Sequence, residues 1–351
     1  MGRRQPAARQ SDVVPGTDRR RERGRGRRRD CDWRDADPRD RSLLRAVRGR
    51  DPGDRRRVLA RRRVSSPRRP HRARKRFGQH FLSAKWAAKV LQAINPQPGD
   101  VFLEVGPGQG ALTFPLAATG APVIAVEVDR DLVDELATRV PPNVTLVAGD
   151  ILKTDVMSFL TGMQPVRPPG VAPDASSPPR RYRLVGNLPY NLSTPILFKL
   201  IEWHQQHGLF ADAVIMLQLE VAERLAAKPG TKAWGALSLY LKLHADSTIL
   251  LRLPPGAFSP PPKVNSAIAR LTFHAPSVKI ADEKVFDQLV QRMFSLRRKT
   301  LHNVLKSIDK QAPAVLAQAG IDPQRRPETL TLPEIGRIVE LLAASKRPAV
   351  L

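Results

Sequence analysis

From residue 84 onward, short apolar runs alternate with amphipathic stretches. "VFLEVG" (101–106), "VIAVEVD" (123–129), "NVTLVAGD" (143–150), "RLVGN" (183–187) and "AVIMLQ" (213–218) are rich in Val, Ile and Leu. Apolar residues at consecutive rather than alternate positions read as strands buried on both faces. Between them, residues 84–95, 110–119, 130–138, 194–206 and 219–227 carry helical spacing. This alternation predicts an α/β fold with a parallel, doubly wound sheet. "STILLRL" (247–253) and "SAIARLTFH" (266–274) are expected to add a terminal antiparallel pair. Beyond residue 278 the pattern is helical only, over 282–295, 298–308, 312–319 and 332–345. The expected division is a tail over 1–74, an α/β domain over 75–277 and a small α-helical domain over 278–351. Two Pro-rich stretches interrupt the pattern. Residues 161–181 read as a surface insertion, and "LPPGAFSPPPKVNS" (253–266) carries Phe258 in its middle.

Charge changes the picture at the N-terminus. The formal net charge is +26, but residues 1–76 hold 29 Lys+Arg against 10 Asp+Glu, leaving 30 against 23 for the rest. The extreme basicity therefore belongs to the tail, which has little to bury and is expected to be disordered. Three readings of it stand open: a basic arm for RNA, a solvated tail without a specific role, or residues upstream of an alternative start at Val64. The body is moderately basic, as suits a partner rich in phosphate. The lone cysteine, Cys31, excludes an intrachain disulfide and a cysteine metal site. A reducing, cytoplasmic setting is expected. No apolar run is long enough to span a membrane, and the N-terminus lacks the apolar region of a secretory signal.

The first strand runs into "EVGPGQGALTFPL", with Gly106, Gly108 and Gly110 between strand and helix. Such a turn lets backbone approach a ligand at the carboxyl edge of the sheet. By itself it equally makes a tight turn. Three acids sharpen it: Glu104 before the turn, Glu127 at the end of the second strand and Asp150 at the end of the third. An acid at the second strand end can accept from both hydroxyls of a ribose, and one at the third can meet an adenine edge. Each alone reads as well as a solvated carboxylate; together they point to an adenosine-bearing cofactor. The GxGxG spacing and Glu104 favour S-adenosylmethionine, with its cationic groups, over a dinucleotide, whose pyrophosphate prefers GxGxxG at a helix N-terminus.

The fourth strand ends in Asn187-Leu188-Pro189-Tyr190 at that same edge. The N6 amine of adenine is a poor nucleophile because its lone pair is drawn into the ring. An acceptor pair, the Asn187 side-chain oxygen and the Leu188 carbonyl, corrects this by taking the amine hydrogens. Pro189 sets the turn. Tyr190 offers a face on which an extruded base stacks. The competing reading is an ordinary turn beside a core tyrosine.

"RKRFGQHFL", "LEVGPGQGALT", "VEVDRDL", "GNLPYNLSTPI", "MLQLEVAERLAAKPGTKAWGALS", "PPGAFSPPPKVNSAI" and "FSLRRKTLHNVLK" occur in this order over residues 74–345. In this the chain resembles the KsgA/RsmA family, the ribosomal RNA adenine N6-dimethyltransferases. The resemblance implies a Rossmann-like S-adenosylmethionine-dependent methyltransferase fold. It implies that His80, Leu82, Gly106, Glu127, Asp150 and Asn187 bind S-adenosylmethionine, His80 standing where the family often has Asn. It implies that Phe258 closes the base pocket opposite Tyr190; the residue's own context suggests only a loop side chain packing on the body. It implies dimethylation of two adjacent adenosines in the 3′-terminal hairpin loop of 16S rRNA in the 30S subunit, by in-line displacement without a metal. A monomer with a role in small-subunit biogenesis is expected.

Arg297, Arg298 and Lys299, read as the start of a helix, and Lys263 beside the base pocket are candidate phosphate contacts. An Erm-type large-subunit rRNA methylase would share fold and pocket, though "FSLRRKT" and the intact "GAFSPPPKVNS" favour the small-subunit enzyme. Leu188 argues against a DNA adenine methylase, which typically carries Pro there. A nicotinamide oxidoreductase would need GxGxxG, and a non-catalytic assembly factor would have no need of Asn187 and Tyr190.

Overall fold

The computed structural model describes residues 79–162 and 181–345. The tail expected over 1–74 and nearly all of the Pro-rich insertion lie outside the described residues. A seven-stranded sheet is built from β2 (Asp100–Val105), β3 (Val123–Glu127), β4 (Val144–Ala148), β5 (Arg181–Asn187), β6 (Phe210–Gln218), β7 (Ala245–Leu253) and β9 (Ser266–Phe273), in the order β4-β3-β2-β5-β6-β9-β7. β2 to β6 are parallel, and β9 lies antiparallel between β6 and β7. The predicted parallel sheet with its antiparallel pair is thus present. The chain winds outward from β2 to β4, then returns to build from β5 on the other side. The crevice between β2 and β5 is therefore the switch point, where ligands bind at the carboxyl ends of the strands.

Both sheet faces are covered. One carries the helices Ala84–Ile94 and Thr113–Ala118, packed through Val90, Ile94 and Leu116 onto Phe102 and Val185. The other carries the helix Ser193–His207, packed through Ile196, Leu197 and Leu200 onto Leu103, Leu184 and Ile215. This explains the consecutive apolar runs. The opposite, amino-terminal edge of the sheet is tied chiefly by Arg183, with Arg181 3.7 Å from Asp100 and Arg270 3.5 Å from Asp212. Buried Arg183 donates to Asp212 at 2.7 and 2.8 Å, to Asp100 at 2.7 Å and to the Ile94 carbonyl at 2.7 Å.

A separate apolar cluster joins the helices Glu283–Ser295, Leu301–Lys306, Ala314–Ala319 and Leu332–Ser345. Leu239 and Leu243 enter this cluster from a helix at Ala236–His244, which the sequence pattern did not predict, and Trp234 enters it from just before that helix. That segment is apolar on nearly every side because it packs on two neighbours at once, so no single-face period stands out. Two further differences bear on the site. The helix expected over 110–119 begins only at Thr113, because Gly110 has φ +87° and closes the glycine turn. Phe258 is not in a loop: β8 (Phe258–Ser259) pairs antiparallel with β1 (Phe81–Leu82). Among the described residues, no helix is long and apolar enough to cross a membrane.

Candidate active site

The glycine turn leaves β2 at the switch point. Gly106 has φ +69°, and a Cβ built there would lie 3.9 Å from the Asn187 carbonyl, so turn and Asn-Leu-Pro-Tyr segment approach to van der Waals contact. Gly186, just before Asn187, has no room for a side chain: a Cβ would meet the Val105 carbonyl at 2.5 Å. β2 and β5 thus deliver their two motifs side by side.

The acids cluster as the sequence suggested. Glu127 is buried and accepts from the backbone N–H groups of Gly108 at 3.1 Å and Asp129 at 2.9 Å. Burial pushes its carboxyl above the ordinary range. Gly149 donates to the Glu127 carbonyl at 2.8 Å, which brings Asp150 to the same edge, where its side chain accepts from the Leu152 N–H at 3.1 Å. Glu104 is wholly buried; desolvation raises its pKa to about 7, against the opposing hydrogen bond from Thr113 (2.6 Å) and with a smaller contribution from Glu127. Thr113 was missed by sequence reasoning. Its signal was there, a hydroxyl in the first turn after a glycine loop that follows a strand-end acid.

Residues 79–83 form a strap across this edge. Gln79 donates to Asp129 at 3.0 Å, the Phe81 ring covers Gly108, and the Ser83 N–H donates to the Ala257 carbonyl at 3.0 Å. His80 makes three contacts. Its carbonyl accepts from Asn187 Nδ2 at 2.7 Å, its Nδ1 lies 2.7 Å from the Pro260 carbonyl, and its ring stacks on Tyr190 at 5.6 Å between centroids. Leu82 is buried and pairs with Phe258 across the β1–β8 ladder.

The orientation of Asn187 follows from chemistry. A carbonyl only accepts, so the amide nitrogen must face His80. Asn187 Oδ1 then has no protein partner among the described residues, and neither has the Leu188 carbonyl, whose own N–H donates to Met216 at 3.2 Å. Two free acceptors thus stand on adjacent residues. Pro189 lies between them and Tyr190; its carbonyl is taken up by the Leu192 N–H at 2.9 Å and the Ser193 hydroxyl at 3.1 Å, which fixes the turn. The Tyr190 hydroxyl meets Ser266 Oγ at 2.6 Å, and burial keeps it a neutral phenol. Ser266, fully buried at the start of β9, was not foreseen, because it lies 76 residues from Tyr190 in the chain.

His80, Leu82, Gly106, Glu127, Asp150, Asn187, Leu188, Pro189 and Tyr190 therefore gather at one edge. Phe258 reaches it through the ladder, but it packs among Leu82, Leu253 and Ala257 and makes no ring contact with Tyr190. The basic residues separate. Lys263 is exposed near the same edge. Arg297, Arg298 and Lys299 lie in the turn between the helices Glu283–Ser295 and Leu301–Lys306, not at a helix start. The chain cannot propagate helix there because it turns back to pair Leu301 N–H with the Arg325 carbonyl. Arg297 is used within the fold, donating to the Thr231 carbonyl at 3.2 Å beside Glu328. Arg298 and Lys299 are exposed.

This turn, these strand-end acids and the acceptor pair at the switch point define a Rossmann-like, S-adenosylmethionine-dependent methyltransferase fold. The chain belongs to the ribosomal RNA adenine dimethylase family, whose model matches residues 70–344. It is 44% identical over 266 residues to the ribosomal RNA small subunit methyltransferase A of Acinetobacter baylyi, covering 75% of this chain and 89% of that protein. The protein of the same name from Pseudomonas fluorescens Pf-5 is 43% identical, over 80% of this chain and 97% of its own length. Among solved structures, a dimethyladenosine transferase from Plasmodium falciparum matches with a TM-score of 0.58 at 24% identity, over 76% of this chain and 98% of that one. The 23S rRNA methyltransferase ErmE matches at 0.50 with 25% identity, over 75% and 99%.

Proposed function

We propose that the chain carries two methyl groups to the N6 of each of two adjacent adenosines in the 3′-terminal hairpin loop of 16S rRNA, within the 30S subunit or its precursor. The observation that carries the reading is the pair of unpartnered acceptors, Asn187 Oδ1 and the Leu188 carbonyl, beside the Tyr190 ring. Together they bind an aromatic amine at both hydrogens. Holding the amine this way turns its lone pair out of conjugation with the ring and aims it at the glycine turn.

The residues at that turn fit S-adenosylmethionine, which supplies an electrophilic methyl group on a cationic sulfur. Glu127 would take the ribose hydroxyls and Asp150 the adenine edge. Val128, an exposed apolar side chain directly after Glu127, offers a face for the adenine ring. His80, Leu82 and Gly106 would line the remainder through backbone. Glu104 answers the cationic end, since a carboxyl held near neutrality ionises when a positive charge arrives. Tyr190 holds the extruded base flat, with Phe258 behind it. Lys263, Arg298 and Lys299 supply positive charge for the RNA backbone, with Arg297 bracing their turn. The protein is expected to act as a monomer in the cytoplasm.

Incubation with unmethylated small subunits and S-adenosylmethionine, followed by mass mapping of the nucleotides, tests this. N6,N6-dimethyladenosine at two neighbouring positions is expected. Faster methylation of naked large-subunit rRNA would favour the Erm-type reading instead. Asn187→Ala should abolish dimethyladenosine, a loss of about 10²-fold or more in rate, while binding to small subunits persists. Undiminished methylation in that variant would remove the amine from this site.

A further inference from the structure

Beyond the Tyr190 site the same sheet edge opens into a second cleft, of about 390 Å³, lined in part by Gln218, Glu220, Glu223, Lys263, Val264 and Asn265. Its position is set by strand register. Asn187 pairs with Met216 on β6, and Gln218 lies two residues further along, about 7 Å at the rise of a strand. Gln218 pairs in turn with Ser266 on β9, the residue whose hydroxyl holds Tyr190. Asn265 precedes Ser266, and its carbonyl accepts from the Leu219 N–H at 2.9 Å, which closes the floor. The cleft therefore begins where the Tyr190 hydroxyl ends.

Its chemistry suits a nucleotide. The side-chain amides of Gln218 and Asn265 have no protein partner among the described residues, and each presents a donor and an acceptor, as needed to read a base edge. Val264 is 44% exposed, one of two large apolar side chains so exposed among the described residues; the other, Val128, flanks the cofactor acid. An apolar face beside amides is what a stacked base requires. Lys263 is exposed on the rim, where a phosphate would pass. The two carboxylates are ion-paired, Glu220 with Arg224 and Glu223 with Arg252 at 3.5 Å, so they do not repel a polyanion with full charge.

We propose that this cleft seats the base of the nucleotide next to the adenosine held at Tyr190, and that it prefers a base with an exocyclic amine. The inference rests on the reading that the chain methylates an extruded adenosine in rRNA. When one of the two adjacent adenosines occupies the Tyr190 site, its neighbour on the side of this cleft donates its amine to the Gln218 or Asn265 carbonyl oxygen. The second seat makes adjacency itself a requirement for efficient methylation.

The test uses reconstituted small subunits carrying adenosine or purine riboside, which lacks the amine, at either of the two positions. Initial dimethylation at the remaining adenosine is followed for the wild-type chain and for Gln218→Ala/Asn265→Ala. With the wild type, purine riboside at one of the two positions, the one whose base faces this cleft, should lower kcat/KM at the remaining adenosine about tenfold. The double variant should lose about tenfold on unsubstituted subunits and show no further loss with purine riboside. Equal rates for variant and wild type, or losses that multiply, would overturn the second seat. A matching fall in S-adenosylmethionine affinity, measured by calorimetry, would overturn it too, since the damage would then belong to the fold. If the wild type methylates both adenosines and the variant matches it, only the second seat fails; if the wild type modifies neither, the function reading fails first.

Discussion

Replacing Glu104 by Gln removes one titration and leaves the shape. The carboxyl is wholly buried, and its hydrogen bond from Thr113 at 2.6 Å survives in the amide. In the folded chain its pKa stands at about 7, against an ordinary 4.5. An acid whose folded pKa is raised contributes stability that is full below the unfolded pKa. That contribution drains away as pH climbs through the folded pKa, because the unfolded chain ionises freely and the folded one does not. The shift corresponds to about 3 kcal/mol in all, lost between roughly pH 4.5 and a little above pH 7. Wild type should therefore weaken relative to Glu104→Gln across that window, read as urea-unfolding free energies at half-unit pH steps. The variant comparison matters because Glu127 drifts in the same direction, while buried His244, lowered to about 4 by desolvation and by His204 and His274, drifts in the opposite one. A difference between the two proteins that stays flat from pH 5 to pH 8 would refute the burial argument. The same titration predicts that S-adenosylmethionine affinity of the wild type rises through pH 7, and that the rise is absent in Glu104→Gln.

Arg183→Met should destabilise the fold by about 3 kcal/mol, since buried Asp100 and Asp212 lose the cation that bonds both at 2.7 Å and keep only Arg181 at 3.7 Å and Arg270 at 3.5 Å; a urea midpoint close to wild type would show that the amino-terminal edge holds without it. Ser266→Ala frees the Tyr190 hydroxyl and should raise KM for small subunits about fivefold, the size of one hydrogen bond, with kcat and S-adenosylmethionine affinity little changed; a pure kcat effect would contradict a positioning role. Deleting residues 1–63 should leave methylation of small subunits intact, and a large fall in activity would assign the basic tail to RNA binding.

Much of this site was legible because its groups sit at the ends of short, consecutive strands. In a doubly wound sheet those ends all face one edge, so Gly106, Glu127, Asp150 and Asn187 could be placed together from the strand pattern alone. The reading went wrong where the pattern is ambiguous. Ala236–His244 has no single apolar stripe, and Arg297 to Lys299 follow an amphipathic helix without any Gly or Pro to mark its end.

The sequence by itself determined the sheet, its switch point and which residues gather there, because each depends on local spacing and on residue type. Only the tertiary structure decided how those parts are held. The strap from Gln79 to Ser83 turns the Asn187 amide by offering a carbonyl that cannot donate, and so leaves its oxygen free. Ser266 anchors Tyr190 from the far side of the sheet. The antiparallel register of β9 against β6 sets Gln218 and Asn265 beside that anchor. Pairings across scores of residues are set by packing and strand order, which no local pattern of hydrophobic and polar positions records.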